Sequence, residues 1–133
     1  MLRSTSQSKI FKCFMLLGTF SAMTATILGA FAAHALRTHF SDYQMQIFQT
    51  GILYQFIHSF SLLCIGMILW QFNTRILQIA GWLFFIGIML FSGSLYLISL
   101  IQVKSIGIVT PFGGSCFIIG WLLLALGISK ISS

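Results

Sequence analysis

In the run TGILYQFIHSF (50–60), Tyr54, Gln55 and His58 interrupt an apolar stretch that otherwise extends over 51–70. A phenol, a carboxamide and an imidazole all form hydrogen bonds, and only the imidazole titrates near neutrality. Similar groups recur in the other apolar runs: His34 in the first, Ser92, Ser94 and Tyr96 in the third, Thr110 and Ser115 in the fourth. A bis-histidine haem would need His34 and His58 at matching depth. They differ by about five residues, or roughly 8 Å of helix rise. Proton-coupled carriers normally use an intramembrane carboxylate, whereas Asp42, the one acid, lies between the first two runs. A hydrolase would want a base and an orienting acid beside its nucleophile, and the apolar runs hold no acid. Cys13, Cys64 and Cys116 lie far apart without a CxxC pair, so neither a disulfide framework nor a zinc site follows. The expectation is a protein that is not an enzyme, with no cofactor and no metal.

Two uses remain for the polar set. They can bond to one another across helices and hold the bundle in register, each such bond contributing about 0.6–2 kcal/mol. Alternatively they line an outward-facing pocket, since ionisable groups within membrane spans are usually functional. His34, Tyr54, Gln55, His58, Ser92, Tyr96, Thr110 and Ser115 are the candidate ligand-binding residues on the second reading.

The elements that must carry these residues follow from composition. The chain of 133 residues is 58% hydrophobic and 6% charged, against about a quarter charged in a soluble domain. Its solvent must therefore be mostly lipid. Seven basic residues against one acid leave a net charge of +6. The bases stand singly at the ends of apolar runs, which suits lipid headgroups and topology signals, so no nucleic acid is expected. Apolar stretches at about 13–36, 51–70, 78–101 and 110–129 are each near the roughly 20 residues a spanning helix needs. Lipid offers no partner to backbone N–H and C=O groups, so helices are the form these stretches must take. The first run ends in AHA at 33–35 and imitates a signal peptide. It is longer than the usual apolar core of about 7–15 residues, and reads as a retained span. The expected fold is all-α: a polar basic leader (1–12), then an up-down bundle of four transmembrane helices (13–130).

Arg3, Lys9, Lys12, Arg75 and Lys130 fall on one side and Arg37 and Lys104 on the other. That bias places both termini in the cytoplasm and the protein in the cytoplasmic membrane. The connection between the first two spans holds Ser41-Asp42-Tyr43-Gln44, an S-x-x-Q capping box. A helix over 41–70 would be about 45 Å long, so a bend near Gly51 and a short interfacial helix between helices 1 and 2 are expected.

In this topology all four spans place their polar side chains in the outer half of the membrane, while the inner half is nearly pure Leu, Ile, Phe, Met and Gly. Gly18, Ala22, Ala25, Gly29 and Ala33 recur at spacings of three and four, a face of small residues on which a neighbouring helix can pack closely. In TPFGGS (110–115), Thr110 can cap the fourth helix and Pro111 suits its first turn. The exposed backbone at Gly113 and Gly114 suits either close packing or an anion.

Taken together, LGAFAAHAL (28–36), TGILYQFIHS (50–59), LFSGSLYLISL (90–100) and TPFGGSCFIIGW (110–121) resemble the signature segments of the YgdD-like family. These are small bacterial inner-membrane proteins with a domain of unknown function, grouped with transmembrane protein 256 of animals. The resemblance implies a four-span membrane protein and makes the Tyr54, Gln55, His58 motif part of the family pattern. It carries over no activity and no functional residue. The function expected is that of an accessory or structural membrane component, as a homo-oligomer or within a larger complex. The alternative is a binder or carrier of a small amphiphile, a quinone or lipid headgroup, through the outer polar residues.

Overall fold

Helix boundaries reach beyond the apolar stretches in the computed structural model, which describes residues 5–131. Helix α1 spans Thr5–His34 and α2 spans Asp42–Gln71. The third span begins as α3 (Arg75–Gly87), passes through a π-helical turn (Ile88–Ser92) and continues as α4 (Gly93–Ile101). Helix α5 (Thr110–Ile131) is the fourth. Among the described residues four helical spans are long and apolar enough to cross a membrane, and there is no strand. Residues 1–4, with Arg3 and the start of the expected leader, lie outside the described residues, as do 132 and 133. The helices outrun the apolar stretches because hydropathy marks where lipid ends, whereas Lys, Gln and Arg remain good helix formers in water.

Ser41 starts α2 as its spacing predicts. Its hydroxyl accepts from Gln44 N–H at 3.2 Å, and Gln44 Oε1 accepts from Ser41 N–H at 3.0 Å. The same Gln44 amide donates to the Ser99 carbonyl at 2.8 Å and ties the start of α2 to α4. The short helical element between the first two spans takes the form of a 3-10 turn, Leu36–Thr38, followed by the opening turns of α2. Helix α2 runs through Gly51 without a break in its helical assignment. A Cβ on Gly51 would come within 2.7 Å of the Tyr96 ring, so this glycine admits a neighbouring helix.

Helix α2 and the third span form the centre. Helix α1 lies along α2, and α5 lies along α3 and the π turn, while α1 and α5 share no extended interface. The bundle is therefore open on one side. Its larger apolar cluster joins Phe14, Leu62, Ile65, Leu77, Phe84, Phe117 and Leu124 towards the end where α1 begins and α5 ends. A smaller one joins Ala32, Leu36 and Phe48 near the end where α1 passes into α2.

Between lipid-dissolved helices water-driven attraction is absent, so contact area has to come from close packing. On α5, Gly113, Phe117, Gly120, Leu124 and Gly127 are buried at alternating spacings of four and three, the seam of a coiled coil. Bulk and absence of bulk alternate across it. Phe117 fills the space over Gly87, and Phe84 fills the space over Gly120. On α1 the expected small face holds at Gly18, where a Cβ would lie 2.8 Å from the Ser59 carbonyl oxygen, and at the buried Ala25. It drifts towards the end of α1. Ala32 is buried while Ala33 is exposed, and a Cβ on Gly29 would meet only Ile52, at 3.9 Å. The spacings 18-22-25-29-33 break the alternation with two successive fours, which carries Ala33 off the contact line, whereas a three after Gly29 reaches the buried Ala32.

Candidate functional site: the polar belt

The polar side chains converge between the two apolar clusters, and Gln55 is their hub. It is 6% exposed. Its amide nitrogen donates to the Ser21 carbonyl at 2.9 Å and to Thr24 Oγ1 at 2.8 Å, both on α1. Its Oε1 accepts from the Tyr96 hydroxyl of α4 at 2.6 Å. One side chain thus joins three spans with both amide hydrogens and the carbonyl oxygen engaged. One turn on, Ser59 Oγ lies 2.6 Å from the Gln55 carbonyl oxygen and 2.7 Å from Ser21 Oγ. Ser92 donates to the Gly51 carbonyl at 2.7 Å, tying the π turn to α2. Ser94 Oγ lies 2.6 Å from Thr110 Oγ1 and links α4 to α5.

His58 faces elsewhere. Trp121 Nε1–H donates to its Nε2 at 3.2 Å, and its Nδ1 lies 2.7 Å from the Tyr54 carbonyl oxygen. An indole N–H only donates, so Nε2 must be the unprotonated nitrogen and Nδ1–H the donor to the carbonyl. Both nitrogens of a neutral imidazole are thereby used. The ring stacks on Phe117 with centroids 3.5 Å apart and planes 6° apart, and Phe84 closes a further side at 5.5 Å.

Ser92 or Tyr96 is the partner that depth in the membrane suggests for His58, and the structure assigns Trp121 instead. Depth fixes position along an axis but says nothing of direction around it. Residues three apart on a helix point about 60° apart, enough to aim Gln55 at α1 and α4 and His58 at α5. Of the eight candidate residues, Tyr54, Gln55, His58, Ser92, Tyr96 and Thr110 belong to the belt. Tyr54 joins it through ring contacts, 4.5 Å from Phe91 and 6.1 Å from Phe117. The remaining two stand apart: His34 is exposed at the end of α1, and Ser115 is exposed with its hydroxyl on the Pro111 carbonyl at 2.9 Å. Thr110 bonds across to Ser94, a link between helices beyond the cap its position suggests.

Sequence reasoning missed Ser21, Thr24 and Trp121. Ser21 had a signal, since it lies about 60° from Gly18 and about 40° from Ala25 and so borders the face already marked for close packing, whereas Thr24 is exposed and about 100° from Ala25. Trp121 had a weaker one: an indole N–H deep within a span needs an acceptor, and His58 is among the few nearby. Four cavities of about 190–460 Å³ lie near the ends of the helices and are lined by residues other than the eight candidates.

If His58 holds α2 to α5, His58→Leu removes a polar group together with its bond and leaves Trp121 N–H to find another acceptor. The expected loss is about 1 kcal/mol, read as a small fall in detergent melting temperature with a shift in tryptophan emission. A larger loss than Gln55→Leu produces would show that His58 is the hub.

A profile of the family described as protein of unknown function DUF423 matches residues 28–114, which include the whole belt except Ser21, Thr24 and Trp121. The chain is 45% identical over 121 residues to a UPF0382 membrane protein of Staphylococcus epidermidis, covering 91% of this chain and 98% of that one. It is 38% identical over 120 residues to the UPF0382 membrane protein YwdK of Bacillus subtilis, covering 90% and 98%. No solved structure matches it. With most of the belt inside the matched segment and nearly full-length relatives named as membrane proteins, the chain belongs to the DUF423 family of membrane proteins of unknown function.

Proposed function

We propose that the protein is a non-enzymatic structural component of the cytoplasmic membrane, associating through its lipid-facing helices with further copies of itself or with a larger complex. The carrying observation is that the belt is saturated from within. Both amide hydrogens and the carbonyl oxygen of Gln55, and both ring nitrogens of His58, bond inside the protein. Such a belt fixes the register of four spans and leaves its central groups engaged with one another. The open side between α1 and α5 supports the same reading, because a four-helix ring that does not close leaves two outer helices available to neighbours.

Native mass spectrometry from gentle detergent tests it. The expected species is a homo-oligomer or a complex with a defined protein partner. A stoichiometric quinone or lipid that is lost on His58→Leu or Tyr54→Phe would replace this reading with that of an amphiphile carrier.

The orientation is part of the proposal. Lys9, Lys12, Arg75 and Lys130 lie at one end of the bundle, with Arg37 and Lys104 at the other, and the positive-rich end belongs in the cytoplasm. On a background without the native cysteines, an impermeant thiol reagent applied to intact cells should label Thr38→Cys and spare Lys130→Cys. The reverse pattern would invert the topology.

A further inference from the structure

Where the chain turns from α1 into α2, a cavity of about 310 Å³ is floored by Ala32, Phe40 and Met45 and rimmed by Arg37, Asp42 and Gln49. The floor belongs to the smaller apolar cluster, and the three rim side chains are exposed. Arg37 sits in the 3-10 turn and Asp42 opens α2. Asp42 is the one acid in a chain with seven basic residues. It shares this cavity with an arginine, yet among the described residues no salt bridge joins the two. Opposite charges that line one space without closing on each other present a cation and an anion to whatever enters it.

We propose that this cavity binds the headgroup of a zwitterionic phospholipid bearing a primary ammonium. The flat guanidinium of Arg37 takes the phosphodiester, for which its paired donors are suited. The Asp42 carboxylate takes the ammonium N–H groups, and the Gln49 amide supplements either. The glycerol and first methylenes lie over Ala32, Phe40 and Met45. A volume of about 310 Å³ is at the lower end for a ligand pocket, suited to a headgroup and not to a whole lipid. The position suits it too, since the cavity lies at the end of the spans, where headgroups are. Two alternatives fit less well: a glycerol headgroup offers no cation to Asp42, and a choline headgroup has no N–H to donate. This site lies apart from the polar belt, and its failure would leave the structural reading untouched.

The test uses the full chain in detergent with an equimolar mixture of phosphatidylethanolamine, phosphatidylcholine and phosphatidylglycerol of identical acyl chains, read by native mass spectrometry. Phosphatidylethanolamine should be retained roughly fivefold over each of the others, the preference one exposed ion pair supplies. Arg37→Gln should lower retention of all three, and Arg37→Lys should restore part of it. Asp42→Asn should abolish the preference while leaving total retention. Both side chains are exposed, so helix content by circular dichroism should match the parent. Equal retention of the three lipids, or a preference that survives Asp42→Asn, overturns the proposal. Soluble glycerophosphoethanolamine separates the lipid from a free zwitterion: no displacement at millimolar concentration supports the lipid, and displacement overturns it.

Discussion

Gly113→Ala should unfold the bundle at a markedly lower temperature, while Gly114→Ala, one residue along, should leave it intact or slightly firmer. The two glycines look alike in the sequence and differ in what they face. A Cβ on Gly113 would collide with the backbone nitrogen of Phe91 and lie 2.8 Å from its Cα. Backbone cannot rotate aside as a side chain can, so either α5 separates from the π turn or the turn distorts. Overpacking of this kind costs about 3 kcal/mol or more. It would also disturb the seam that seats Phe117 over Gly87 and Phe84 over Gly120. A Cβ on Gly114 meets only the edge of the Phe91 ring, at 3.9 Å. There the higher helix propensity of alanine, about 0.8–1 kcal/mol better than glycine, acts unopposed. Thermal unfolding in detergent, followed by size-exclusion recovery, compares the pair directly. Equal melting temperatures would mean that α5 does not approach the π turn so closely.

Gln55→Leu should be the most damaging change within the polar belt, with an expected loss of about 2 kcal/mol. It strips the Tyr96 hydroxyl of its acceptor and Thr24 Oγ1 of its donor, and leaves the Ser21 carbonyl with only the Thr24 hydroxyl as a side-chain donor. Single interhelical bonds in membrane proteins average only about 0.6 kcal/mol, because the separated helices also find partners. Three bonds to one buried carboxamide, on two neighbouring helices, raise that figure. A double-mutant cycle isolates the Tyr96 share. Tyr96→Phe alone leaves Gln55 Oε1 short of a donor, and Gln55→Leu alone leaves the phenol short of an acceptor. The double variant has neither orphan, so its loss should fall short of the sum by about 1 kcal/mol. Strict additivity would show that the 2.6 Å contact contributes little to holding α2 against α4.

Span number and helical class are quantities that run along one dimension, and composition with spacing was enough for them; the family came from the resemblance of four short segments. Lipid leaves the backbone a single way to satisfy its N–H and C=O groups, so about 20 apolar residues specify a helix without help from packing. Capping is equally local, and Ser41 with Gln44 was legible because both partners lie within one turn. The gathering of polar groups at one depth was legible too, since counting residues from a span's end measures depth.

Direction around each helix axis was not legible. Whether His58 meets Trp121 or Tyr96, and whether Ala32 or Ala33 is the buried one, turns on rotations of tens of degrees. Those rotations are set jointly by every side chain at the contact. The π turn at Ile88–Ser92 adds to this, because one widened turn shifts the facing of everything beyond it, Tyr96 included. Gly113 and Gly114 are the sharpest case: two identical residues in succession, one against backbone and one against the edge of a ring. No local property separates them, because the difference lies wholly in the helix that packs alongside.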